Sequence, residues 1–164
     1  AVMMDGNVIQ IGTPDQVYDD PQDLRVAEFI GSPKINVLEA EAGQGGRLSL
    51  AGRLLPVGLR QAGDGPVRIG LRPEVLRLAA QGEALIDGVV AHRENLGAEV
   101  LLHATVPASA QPVIVRLDHG AARSVSLGAR IGLSFAPEAA LCFDQAGRRV
   151  ALVEVPATAE AVHA

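Results

Sequence analysis

Short apolar runs separated by turn residues set the rhythm of this chain. Residues 1–4 and 8–11 are two such runs, with Asp5-Gly6 between them. Asp-Gly accepts positive φ at both central positions of a two-residue turn, so the pattern predicts a β-hairpin. A lone hairpin is marginal in water, which predicts that this one rests against another body of protein. The next stretch reads as two short helices. Thr13 is a good N-cap, Pro14 suits the first helical position, and Gln16 stands where a capping-box partner belongs. Asp20-Pro21 disfavours continuation and predicts a restart, with Asp20 as N-cap and Pro21 in the first turn. Val26, Phe29 and Ile30 give this second helix an i, i+3, i+4 apolar face. Gly31 is its natural stop, and Gly-Ser-Pro at 31–33 closes the segment as a linker.

From Asn36 the period shortens. Candidate strands fall at 36–42, 46–51, 53–58, 67–73, 75–79, 84–95, 98–106, 112–118, 129–135 and 148–155. Leu48 and Leu50 alternate with polar neighbours, as do Val113, Val115 and Leu117. Many brief strands with Gly, Pro, Asn and Asp between them predict a small barrel or sandwich. Residues 156–164 lack a packing pattern and are expected to be a disordered tail.

Composition narrows the function. The 164 residues are 48% hydrophobic, enough for a core of one ordinary or two small domains. Tyr18, Phe29, Phe135 and Phe143 are the only aromatic residues, so the core must be aliphatic and base-stacking platforms are lacking. A net charge of −5 also argues against a phosphate backbone as partner, so no nucleic acid is expected. Cys142 alone gives no disulfide framework and sits in an apolar run, where a buried small side chain is expected. No apolar run approaches the ~18 residues of a membrane span, and a reducing cytoplasm fits best.

Candidate chemistry is sparse. Lys34 is the sole lysine and lies between Pro33 and Ile35, so it cannot serve the Gly-Lys-Ser/Thr of a phosphate-binding loop. His92, His103, His119 and His163 fit no short metal-ligand spacing, and solvated or locally hydrogen-bonded histidines are expected. No Gly-x-Ser-x-Gly nucleophile motif is present. No catalysis, metal or cofactor is expected of these residues. Arg72-Pro73-Glu74 reads either as an exposed recognition patch or interface ion pair, or as a strand end with two solvated charges. Residues 94–97 read as a turn in which Gly97 supplies positive φ, or as a functional loop.

Several ordered motifs resemble one family. Gly6, Val8-Ile9, Gln10, Gly12, Thr13, Pro14, Tyr18 and Pro21, then Phe29-Ile30-Gly31-Ser32-Pro33 and Asn36, resemble the end of the ATPase in the ATP-binding subunit of maltose-type ABC importers. Ile35 replaces the usual Met before that Asn. Gly70-Leu71-Arg72-Pro73-Glu74 is similar to the family's downstream G-[IL]-R-P-E segment, and Glu94, Leu96, Gly97 and Glu99 to its E-x-L-G-x-E. Leu141, Phe143, Asp144, Gly147 and Arg148 are similar to its closing motif, so the resemblance covers about residues 1–153.

The resemblance implies that residues 1–34 close a nucleotide-binding domain and that 35–155 form an appended, mainly β, OB-like regulatory domain. The ATPase core, with its ATP and Mg, would lie upstream of residue 1. Implied partners are a second copy of the subunit, membrane-spanning permease subunits reached through the ATPase domain, and a cytosolic regulator. The implied location is the inner face of the membrane. Arg72, Glu74, Glu94, Leu96, Gly97 and Glu99 become candidate interface or regulatory residues. The alternative is a small-ligand sensor, since OB-like barrels also bind oligosaccharides and related transporter domains bind oxyanions; Arg72, Glu94 and Glu99 would then line the pocket.

Overall fold

Asp5 and Gly6 both take positive φ, 51° and 77°. That turn folds Val2–Met4 (β1) back on Asn7–Gln10 (β2) as an antiparallel hairpin. The computed structural model describes residues 1–61, 63–80 and 82–156; of the expected tail, all but Pro156 lies outside them. Pro14–Asp19 (α1) begins with the predicted capping box, in which Thr13 and Gln16 satisfy each other's backbone N–H.

Leu24–Phe29 (α2) begins later than the local signal suggests. Its N-cap is Asp23, not Asp20, which instead caps the end of α1. The reason is tertiary. Leu24 N–H donates to Gly147 O at 2.7 Å and Arg149 N–H to Gln22 O at 3.0 Å. Asp23 thereby forms a β-bridge with Arg148, so residues 22–23 stay extended. The expected apolar face changes as well: Phe29 is 69% exposed. Val26 and Ile30 pack toward the hairpin with Val2 and Val17, while Leu24 and Ala27 pack on Ile35, Leu141 and Phe143. Helix α2 is thus wedged between hairpin and sheet.

The remaining strands are Asn36–Ala42 (β3), Arg47–Leu50 (β4), Arg53–Leu59 (β5), Gly65–Leu71 (β6), Arg77–Leu78 (β7) and Ile86–Asn95 (β8). Glu99–Thr105 (β9), Val113–Asp118 (β10), Arg130–Ser134 (β11), Leu141–Phe143 (β12), Arg149–Val150 (β13) and Leu152–Glu154 (β14) complete the set. One antiparallel sheet runs β13-β12-β6-β3-β4-β5-β14, the other β10-β9-β8-β11-β7. The stretch expected as one strand at 148–155 is two. On either side of Ala151, β13 pairs with β12 and β14 with β5, so six residues cover both edges of the larger sheet. Arg60 N–H donates to Ala151 O at 2.9 Å, which extends the β5–β14 ladder by one residue. The two outer strands are thus consecutive in the chain, and the sheet is nearly closed into a barrel.

One apolar cluster fills the space between the sheets. Leu38, Leu48, Leu50, Leu55, Val57, Ile69 and Leu71 come from the larger sheet, and Val90, Leu102, Val113, Val115 and Leu133 from the smaller. The alternation in β3 is complete, with Leu38, Ala40 and Ala42 inward and Glu39 and Glu41 outward. In β8 the register shifts between Val90 and His92. This bulge ends the burial alternation and aims Arg93 and Glu94 differently from the residues before it. The protein is mainly β, as an OB-like barrel requires.

Candidate functional site

Strand β6 lies between β3 and β12, and Arg72 follows its last residue. Arg72 is not an exposed patch: it is 5% exposed. Its Nη1 donates to Ala27 O at 3.0 Å and also to Ile30 O; its Nη2 donates to Tyr18 O at 2.8 Å. The guanidinium lies 4.0 Å from the centroid of the Tyr18 ring. A planar cation with several donors suits this combination of carbonyls and π-face, which a lysine ammonium would not match. Burial lowers its pKa, opposed by Tyr18, Glu74 and Asp19. A guanidinium nonetheless stays charged in a protein.

Glu74 reaches the N-terminal segment. Its Oε1 accepts the Tyr18 hydroxyl, and the Tyr18 pKa is raised, first by burial and then by this hydrogen bond. Gly31 has φ 121°, and a Cβ there would lie 2.9 Å from Arg72 Nη1. The turn after α2 is therefore built around the guanidinium and needs glycine.

Two further side chains brace the joint: Asn36, at the start of β3, ties one sheet to the other, and Arg116 ties the linker to β10. Asn36, 6% exposed, brackets the backbone of Ile114 in β10. Arg116 Nη2 donates to Ser32 O at 2.8 Å, and its backbone N–H to Pro73 O at 2.9 Å. Arg116 Nε also lies 3.8 Å from Glu99, which joins that exposed carboxylate to the junction. Arg72, Glu74 and Glu99 are thus gathered around one joint. Tyr18, Gly31 and Asn36 belong to it too. All three stand in the motif stretch 6–36, but their role was hidden because their partners lie 41 or more positions downstream. Arg116 carried no sequence signal.

Glu94, Leu96 and Gly97 form a different feature, the β8–β9 turn. Gly97 has φ 93° and its N–H donates to Asn95 Oδ1 at 2.9 Å, while Leu96 N–H donates to Glu99 O at 2.9 Å. Leu96 is 58% exposed at its tip. Glu94 Oε1 lies 2.9 Å from His103 Nε2, without hydrogen-bond alignment, and 3.9 Å from His92 Nε2. The two imidazoles meet edge to face at 5.3 Å. Among the described residues no group of three or more His, Cys, Asp or Glu is arranged to hold a metal.

Two clefts of about 580 and 570 Å³ open on the surface, the second of them beside Asn36 and Ile114. The first is bordered by β8, β11 and residues 105–107, the second by β3, His103 and residues 109–112. Neither is lined by Arg72, Glu94 or Glu99. Among the described residues, no helix is long and apolar enough to cross a membrane.

Residues 69–143, from β6 through β12, match the TOBE domain family. The stretch 69–143 is thus similar to a TOBE domain, and its relatives by sequence are import ATP-binding proteins. It is 40% identical over 116 residues to the sn-glycerol-3-phosphate import ATP-binding protein UgpC of Paracoccus denitrificans, covering 71% of this chain and 32% of that protein. It is 36% identical over 154 residues to the protein of the same name from Escherichia coli K12, covering 91% of this chain and 42% of the relative. The spermidine/putrescine import ATP-binding protein PotA of Ruegeria pomeroyi is 38% identical over 106 residues, 63% of this chain and 29% of its own length. The chain spans less than half the length of these relatives.

Proposed function

We propose that this chain is the regulatory and dimerisation part of an ABC importer ATP-binding subunit, serving a sugar, a polyol or glycerol phosphate. In this reading residues 1–34 close the nucleotide-binding domain and 35–155 are the appended regulatory domain. ATP and Mg bind in that first domain, outside this chain, and this chain performs no catalysis. The permease subunits are reached through the same domain at the inner face of the membrane.

One observation carries the reading. The hairpin and helices are gripped by the barrel on one side, yet Met3, Val8, Ile11 and Phe29 are 60%, 52%, 78% and 69% exposed. Four large apolar side chains exposed within one small segment are what an unfilled contact with further protein leaves behind. The barrel then holds two subunits together, and the turn bearing Glu94, Leu96, Gly97 and Glu99 meets a cytosolic regulator. Such a regulator acts by binding one state of the ATPase pair better than the other.

The test is deletion of residues 36–156 from the full-length subunit. Nucleotide binding should survive while subunit pairing in the absence of ATP weakens. Loss of nucleotide binding with pairing intact would contradict the proposal.

A further inference from the structure

We infer that Arg72 is the positioning residue that couples helix α2 to the barrel, a latch with an engaged and a released state. The meaning of that motion rests on the proposed function; the latch itself is a property of this chain. The guanidinium's residue follows directly on β6, a strand paired on both sides, so its base is held at a fixed end. What it holds belongs to the other body: the Tyr18 carbonyl and ring from α1, and the Ala27 and Ile30 carbonyls at the end of α2.

Those two α2 acceptors are the carbonyl groups that a helix end leaves without intrahelical partners. A cation is favoured at that end by the helix dipole as well. They converge on one point only while the last turn of α2 remains helical. Arg72 therefore reads the conformation of α2 and not merely its proximity.

Two features make the response switch-like. First, among the described residues no carboxylate lies within ion-pair distance of the guanidinium, and Glu74 and Asp19 favour its charge only from farther off. Nε finds no acceptor, so the grip rests on the two Nη groups and the ring. A shift of α2 away from β6 would strand a buried cation, and partial separation is disfavoured relative to full engagement or full release. Second, Gly31 lets the chain turn directly over the guanidinium, where a Cβ would come within 2.9 Å of Nη1. With φ 121° at this position the turn keeps that path only with glycine.

Other links at the joint are of a different kind. The Arg149–Asp20 pair is 3.7 Å apart with Asp20 67% exposed, which is worth little. The Asn36 and Arg116 contacts fasten the linker and strand β10, not α2. Leu24 and Ala27 pack on Ile35, Leu141 and Phe143, and Leu24 N–H donates to Gly147 O, which holds the start of α2; Arg72 is the side chain that binds its end together with α1.

Hydrogen exchange on this chain, read segment by segment, tests the inference. Arg72→Lys keeps the charge but loses the fork. It should speed exchange of the amides of residues 26–31 by about tenfold or more, as expected for a local opening. The amides of β3 and β6 should keep wild-type protection. Gly31→Ala should reproduce that pattern, and Tyr18→Phe, which keeps ring and carbonyl, should stay near wild type. Uniform acceleration across helices and barrel would make Arg72 a general stability residue and overturn the latch. Unchanged exchange in α2, or a Tyr18→Phe effect as large as that of Arg72→Lys, would overturn it too. Either failure leaves the importer reading standing, because subunit pairing is measured separately.

Discussion

The side-chain amide of Asn36 completes the hydrogen bonding of Ile114 as a neighbouring strand would. Nδ2 donates to Ile114 O at 2.8 Å, and Oδ1 accepts from Ile114 N–H at 2.7 Å. Strand β10 is an outer strand of its sheet, so both backbone groups would otherwise face the junction unpaired. Asn36→Ala leaves a half-buried donor and acceptor of Ile114 without their partners and should cost roughly 1–2 kcal/mol. A shift of the urea midpoint at constant m-value checks this. Asn36→Asp should be at least as damaging, since it keeps the acceptor, loses the donor and adds a buried charge.

Cys142 is fully buried, and burial pushes its thiol pKa from 9.0 up to about 11. The native thiol should therefore resist a disulfide reagent at pH 8 and react only as the protein opens. The sign for stability follows from linkage. The folded pKa is raised, so the unfolded chain loses its proton first, and stability falls as pH rises from 9 toward 11. Cys142→Ala should remove that part of the alkaline loss in a denaturation series, at the expense of a small cavity.

Asp23 caps α2 by accepting from Arg25 N–H at 2.9 Å, and its carboxylate also holds the Arg25 side chain. The Arg25 hydrogen bond is the largest influence keeping its pKa below 3.8. A lowered folded pKa stabilises at pH above the unfolded value and is lost as pH falls through the folded one. Thermal melts should show Asp23→Ala about 1 kcal/mol less stable near neutrality. The difference between the two proteins should shrink below pH 3.8.

Two glycines should respond to the same substitution for different reasons. Gly97 has φ 93° with open space around its missing Cβ, so Gly97→Ala should cost only the backbone strain, about 1–2 kcal/mol. Gly132 is packed: an added Cβ would lie 2.6 Å from the Ala84 Cβ. Gly132→Ala should shift the loop around Ala84 and cost about 1–3 kcal/mol through overpacking. Chemical shift changes confined to the β8–β9 turn in the first variant, and spread over β11 and residues 82–85 in the second, would distinguish the two.

Most of the strands were legible because their signal is local, although Leu141–Phe143 was not among those expected. Alternation in β3 and β10 puts Leu38, Ala40, Val113 and Val115 inward as the pattern requires. The Thr13–Gln16 box and the Asp5-Gly6 turn are local in the same way, and each forms. What failed depended on distant partners. Asp20-Pro21 is a sound helix start, but residues 22–24 pair with 147–149 instead. The division of 148–155 at Ala151 reflects barrel closure, which no local pattern encodes. Arg72 and Glu74 were singled out through their motif, yet reading them as surface charges missed Tyr18, which lies 54 and 56 positions away in sequence.

The account stands most directly on whether the barrel brings two copies of the subunit together. Light scattering of this 17.0 kDa chain over a concentration series measures that. A mass approaching twice 17.0 kDa as concentration rises is the predicted result. A mass that stays at 17.0 kDa up to the highest soluble concentration would contradict the dimerisation role.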